Sequence, residues 1–297
     1  MVETSPAAHS VESPDDLQRR LDEVDYLVDD GLATAMFLSL KLGMPLLLEG
    51  EPGVGKTAAA KSLAAILGSR LVRLQCYEGL TAQESLYEWN YQRQLLAIRL
   101  AESRHESLTE TDLFTSEFID ERPLLACLRD EGPTPPVLLI DEIDRADDEF
   151  EALLLEFLGE ASVTIPEIGT ITAKRRPIVV LTSNRSRELH DALRRRCLYH
   201  WIEFPDASRV AQILRRTVPE ASESLIEGAT AIAHDVRGLD LDKAPGMAEA
   251  IDWVRALTVL GVSDLAPDVV ASSLGTLLKT PDDRHVVLNA MRAGEAS

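Results

Sequence analysis

Cysteine is scarce in this chain. Cys76, Cys127 and Cys197 are the only three among 297 residues, and they form no CxxC pair. An odd, dispersed set excludes a disulfide framework and fits a reducing cytoplasm. The six histidines make no HxxxH or HExxH pair, so nothing points to a transition metal. No apolar run is long enough to span a bilayer. The first residues, MVETSPAAHSVESPDD, have no basic start and no apolar stretch, and do not read as a secretory signal. Positive charge is also in short supply: 30 Lys and Arg stand against 50 Asp and Glu, a net charge of −20. Neutralising a phosphate backbone needs clustered Lys and Arg, so no nucleic acid is expected among the partners, though a local basic patch would escape this argument.

What is present is an ordinary globular balance, 45% hydrophobic and 27% charged, with length for one large domain or two. Residues 1–16 are rich in Ser, Pro, Glu and Asp and read as a flexible tail. From Leu17 to Leu40 apolar residues recur at helical spacing. Pro45 to Leu48 is a short apolar run that feeds a glycine-rich loop, as a buried strand would. Residues 57–67 read as an alanine-rich helix stopped by Gly68. Further strands are expected at 70–75, 136–140, 177–184 and 198–204, with helices between them. That alternation predicts an α/β domain with a parallel sheet covered on both faces. Residues 161–173 carry two short alternating runs around a Pro/Gly turn, the pattern of a β-hairpin. After Pro205 only helical patterns remain. The expected division is a tail (1–16), an α/β domain (17–205) and an all-helical lid domain (206–297).

The loop reads Gly50, Glu51, Pro52, Gly53, Val54, Gly55, Lys56, Thr57, which matches GxxxxGK[ST] between a strand and a helix. Glycines let backbone N–H groups curl around phosphate oxygens, and the helix behind them aims its positive end at the same anion. Lys56 would reach the β- and γ-phosphates of ATP, and the Thr57 hydroxyl would bind Mg²⁺. The bland alternative is a chance glycine turn before an alanine-rich helix.

Downstream, VLLIDEIDRAD sets Asp141 at the end of an apolar strand, where ligands sit in open α/β sheets. Asp141 would hold Mg²⁺ directly or through water, and Glu142 would polarise the attacking water as a general base. The alternative is an acidic solvated loop, since Asp144, Asp147 and Asp148 are close by. Asn184 ends the next apolar strand, where it could bond the γ-phosphate or the water, or simply form a turn. Arg194, Arg195 and Arg196 precede the last strand. They make either surface ion pairs or an arginine finger for a neighbouring subunit. Cys76, Cys127 and Cys197 read as packing residues. Trp89 and Tyr91 could face a client or a pore, or be core aromatics.

Taken in order, these pieces resemble AAA+ ATPases, with a hairpin like that of the helix-2-insert and pre-sensor clades. More narrowly, IDEIDRADDEFEALLLEFL, VTIPEIGTITA, TSNRSRELHDALRRRC, RLQCYEG and YEWNYQRQLL resemble the MoxR family. Within it they are similar to the CoxD-like branch linked to carbon monoxide dehydrogenase. The likeness covers about residues 20–260. It implies a ring-forming, usually hexameric, chaperone-like ATPase that uses ATP and Mg²⁺. It also implies a partner with a von Willebrand factor A (VWA) domain and a client metalloenzyme, the molybdenum–copper CO dehydrogenase. By the family pattern Asn184 is sensor 1, the finger is Arg196 or else Arg195, and Tyr26, Leu27 and Val28 lie where adenine is contacted. Those three could equally be helix packing. One departure stands out. The sensor 2 arginine of a GxSPRA-like stretch is missing from LDLDKAPGMAEAIDW, where Lys243 is the candidate substitute. The competing readings are remodelling of another complex with a VWA-domain partner, a DNA-directed AAA+ machine, a P-loop kinase, and a nucleotide-gated binding module without useful hydrolysis.

Overall fold

The computed structural model describes residues 11–105 and 107–295. Residues 11–16 of the stretch read as a flexible tail (1–16) are packed and partly helical. Residues 1–10 lie outside the described residues, Val11 is buried, and the Ser13 side chain caps a helix that begins at Pro14. Helix α1 (Pro14–Asp22) and helix α2 (Asp30–Leu42) replace the single helical pattern read from Leu17 to Leu40. Asp25 has φ +62°, and the Asp29 side chain accepts from Leu32 N at 2.7 Å, so the chain stops and restarts between them.

Strand β1 (Leu46–Gly50) leads into the glycine loop and helix α3 (Lys56–Leu67). Then come β2 (Leu71–Gln75), α4 (Ala82–Leu86), β3 (Tyr87–Trp89), α5 (Tyr91–Arg104), α6 (Glu110–Leu113), β4 (Ile119–Glu121) and α7 (Pro123–Leu128). The antiparallel pair β3–β4 has no counterpart in the sequence reading. Trp89 is buried there, edge-on to Phe114, whereas Tyr91 is exposed. Next are β5 (Val137–Asp141), α8 (Asp148–Glu160), the hairpin β6 (Ser162–Ile165) and β7 (Gly169–Thr172), β8 (Ile178–Ser183), α9 (Asp191–Arg194) and β9 (Leu198–Ile202). Helices α10 (Ala207–Thr217), α11 (Glu223–Arg237), α12 (Met247–Val259), α13 (Pro267–Leu277) and α14 (Pro281–Glu295) follow.

The five-stranded sheet has the order β2-β5-β8-β1-β9, and the β2–β5, β5–β8 and β8–β1 pairs are parallel. Every residue of β5 is buried, so both faces of that strand are covered. Because β1, β5 and β8 run the same way, Glu49, Asp141 and Ser183 come to one edge of the sheet, where open α/β sheets bind ligands.

The chain divides into two compact units, and not as the sequence suggested. One unit comprises residues 11–24, Val28–Glu49 and Thr57–His200; the other comprises Asp25–Leu27, Gly50–Lys56 and the chain from Trp201 on. The cut therefore falls after His200 instead of Pro205, and the glycine loop groups with the helices. The α/β core is built on Leu47, Leu138, Ile140, Phe150 and Phe157. The helical unit packs around Trp253, whose indole N–H donates to Ser273 Oγ at 2.8 Å.

Candidate nucleotide site

The glycine loop belongs to the helical unit. The Lys56 ammonium is buried and donates to the carbonyl oxygens of Gly50 at 2.8 Å and Glu51 at 2.7 Å. A side chain at Gly50 would sit 2.5 Å from the Ile202 carbonyl oxygen. Gly53 has φ +78°, a conformation that costs an L side chain strain. Tyr26 lies beside the loop, its hydroxyl donating to the Gly55 carbonyl at 3.5 Å, and Leu27 next to it is half-buried. Val28, the third adenine candidate, is a core residue of the other unit.

Asp141 is a hub of the α/β unit. Its carboxylate accepts from the Thr57 hydroxyl at 3.1 and 3.2 Å and from the Thr182 hydroxyl at 2.5 Å. It also accepts from Arg73, through Nε at 3.0 Å and Nη2 at 2.6 Å. Register explains the arginine: Gln75 stands opposite Asp141 in the β2–β5 pair, and Arg73 is two residues back on the same strand. Glu142 has left-handed backbone, φ +56° and ψ +50°. Its N–H donates to Thr182 Oγ at 3.0 Å, and its carboxylate pairs with Arg145 at 3.2 Å.

The acidic stretch after Glu142 is not a solvated loop throughout. Asp144 is buried and accepts from Ser186 N at 2.8 Å and Ser186 Oγ at 2.6 Å. Asp147 caps α8, and the exposed Asp148 meets His190 at 3.0 Å. The Asp144–Ser186 bonds tie the turn that carries Asn184, immediately past β8, to the segment that follows Asp141. Among the arginines, Arg194 lies over the Tyr199 ring at 5.8 Å. Arg195 is exposed near Asp191 at 3.8 Å, and Arg196 is exposed and donates to the Leu155 carbonyl at 2.5 Å.

Lys243 is not brought to the loop. It is exposed, its backbone N–H donates to Asp283 at 3.2 Å, and among the described residues no interaction links its side chain to Gly50–Lys56. Arg237 takes that place. It pairs with Glu51, donates to the Pro245 carbonyl at 2.7 Å, and lies 3.9 Å above the Phe204 ring. Sequence reasoning missed Arg73, Thr182 and Arg237. The first two could have been found as polar residues on apolar strands flanking Asp141; the third has no local signal.

The donors around Asp141 suit a small hard cation. Mg²⁺ prefers oxygen ligands and takes one or two from the protein, and the Thr57 hydroxyl and Asp141 carboxylate are such a pair within hydrogen-bonding distance. Burial raises the thiols of Cys76, Cys127 and Cys197 to about 12, with the charges of Asp141, Asp144 and Glu142 adding to the effect at Cys76. All three are neutral at pH 7 and are not nucleophiles.

Residues 45–197, just over half of the chain, match the AAA domain (dynein-related subfamily), and the chain belongs to that family. Its AAA domain brings nucleotide binding and ATP hydrolysis. Chaperone MoxR1 from Mycobacterium tuberculosis is 26% identical over 224 residues, 71% of this chain and 52% of that protein. The chain thus spans about half the length of this curated relative. Among solved structures, a Thermotoga maritima RuvB mutant aligns with a TM-score of 0.51 and 18% identity, covering 96% of this chain and 76% of that one. A second mutant of the same RuvB gives 0.49 and 19%, covering 89% and 72%. The first likeness shows the fold: an AAA+ P-loop domain with a central parallel sheet, then helices.

Proposed function

We propose that this chain is a MoxR-type AAA+ ATPase that couples ATP hydrolysis to chaperone-like remodelling of a protein client. The observation that carries this reading is the Thr57 hydroxyl held 3.1 Å from Asp141. A P-loop residue and a strand-end carboxylate that share a bond can share a metal ion. The likeness to a chaperone, MoxR1, supports the remodelling half.

In the mechanism, Lys56 and the loop N–H groups would hold the phosphates, and Thr57 and Asp141 would hold Mg²⁺. When bound, Mg²⁺ would supply charge neutralisation on the nucleotide phosphates. Glu142 draws the proton of the attacking water, and the Asn184 amide orients that water without repelling phosphate. Tyr26 and Leu27 border the base. The chains assemble as a ring, a hexamer by the MoxR pattern, and Arg196 of one chain stabilises charge developing at its neighbour's ATP, with Arg195 as the alternative. Exposure of Arg195 and Arg196 suits a role toward another chain. The quoted CoxD-like segments support a narrower reading: a cytoplasmic ATPase that matures the molybdenum–copper site of a CO dehydrogenase with a VWA-domain partner. Net charge of −20 weighs against a DNA-directed machine.

ATPase rate against protein concentration, with mass by light scattering, tests this. The rate per chain is expected to rise with assembly. Arg196→Ala should still assemble and bind ATP but lose roughly a thousandfold in turnover, the lower end of what a finger supplies. A monomer that hydrolyses ATP equally well, with Arg196→Ala silent, would overturn the ring mechanism.

A further inference from the structure

We infer that Arg237 is a positioning residue for the phosphate loop, and that the helical unit sets how fast nucleotide leaves through it. This deepens the reading above and rests on it. Loop and arginine belong to the same compact unit.

Arg237 is the last residue of α11, and its side chain is only 16% exposed. One arm of its guanidinium pairs with the Glu51 carboxylate, the other donates to the Pro245 carbonyl at 2.7 Å, and the plane lies on Phe204. A planar fork stacked on an aromatic face can satisfy all three demands, whereas a lysine point charge cannot. Glu51 is itself 52% exposed, so the ion pair alone is weak. It does not act alone. Two residues further along the loop, the Gly53 carbonyl accepts from Met247 N at 3.0 Å and Ala248 N at 3.3 Å. These are first-turn N–H groups of α12, which have no partner within their own helix. The approach is so close that a Cβ at Gly246 would lie 2.7 Å from Gly53 Cα and 2.7 Å from the Pro52 carbonyl oxygen. Glu249 closes the cap by accepting from Gly246 N at 3.0 Å.

Glu51 and Gly53 are therefore both fastened to helical residues, between the glycines whose N–H groups would cradle phosphate. Helix α12 holds the loop through backbone atoms that no side-chain change removes, whereas the Arg237 contact can be taken away singly. Without it the loop loses one of its two fixed points and grips phosphate for a shorter time.

The test is release of a fluorescent ADP from the full chain by stopped flow, with thermal unfolding alongside. Arg237→Gln and Glu51→Gln are each expected to speed release roughly threefold, within what a partly exposed ion pair supplies. The unfolding midpoint should not move in Glu51→Gln, and the double variant should release no faster than either single one, as for a shared contact. Arg237→Lys should fall in between. A purely structural role would lower the unfolding midpoint and leave release unchanged, which overturns the inference. Should Arg237→Gln fail to fold, Glu51→Gln decides alone, since a wild-type release rate there overturns it equally. Wild-type ATP hydrolysis with unaltered release in both variants defeats this inference only; a wild-type chain that binds no ADP defeats the proposed function with it.

Discussion

Asp141 and Glu51 each hold an arginine, but they sit in opposite surroundings. The Asp141 side chain is 5% exposed at the end of a fully buried strand, and it receives two hydroxyls as well as Arg73. The Glu51 side chain is 52% exposed in a loop and receives Arg237. In the first pair the sheet sets the spacing: parallel register brings Arg73 to Asp141 whatever the loops do. In the second, two chain segments 186 residues apart must be folded onto each other before the partners meet. The first is a rigid hub whose loss is felt as chemistry. The second is a solvent-screened fastening whose loss is felt as rate.

The largest break in this comparison is Asp141→Asn. The amide keeps the shape and can still accept from the hydroxyls, and Arg73, half in water, can turn outward at small cost. What disappears is the negative charge that would face Mg²⁺. Outer partners of a metal site cost ten- to a hundredfold, so Mg²⁺-dependent hydrolysis should fall by at least about a hundredfold here. Titration should show ATP still bound without Mg²⁺ and little extra affinity when Mg²⁺ is added. Wild-type turnover in Asp141→Asn would make Asp141 as structural as any buried ion pair.

A smaller break is Thr182→Val, which keeps shape and removes one hydroxyl. That hydroxyl donates to Asp141 at 2.5 Å and accepts from Glu142 N at 3.0 Å, so its loss leaves a backbone N–H unpaired beside the hub. Denaturant unfolding should show about 1–3 kcal/mol of destabilisation. Turnover should drop roughly tenfold, as for an outer partner of a metal site. Unchanged turnover with lost stability would confine Thr182 to the fold.

How much of this was legible follows from the same contrast. The five strands of the main sheet are short runs rich in apolar residues, and each was found within a residue or two. The α/β class and the glycine loop are equally local in the chain. The break between α1 and α2 was missed because apolar periodicity continues through it; Asp29-Asp30-Gly31, a helix start, was the overlooked signal. Strands β3 and β4 are three residues each and pair across about thirty residues, too short for any period to appear. Asp144 looked like one more solvated acid because burial by a partner at Ser186 cannot be read from neighbours in sequence. Arg73 and Thr182 needed register, and Arg237 needed the packed helices.

The smallest effect sharpens the comparison most. Lys243 and Arg237 are both basic residues of the helical unit, six positions apart, and only sequence likeness favoured the lysine. Lys243 is exposed and contributes its backbone N–H to Asp283, a bond that alanine retains. Exposed substitutions away from such features fall within about 0.5 kcal/mol, so Lys243→Ala should leave unfolding, ADP release and turnover unchanged. If Lys243→Ala instead slows hydrolysis at saturating ATP while Arg237→Gln does not, the lysine acts on the phosphates in the loaded state. Glu51 would then be a surface ion pair with no part in the site, and the contrast with Asp141 would be one of function against none.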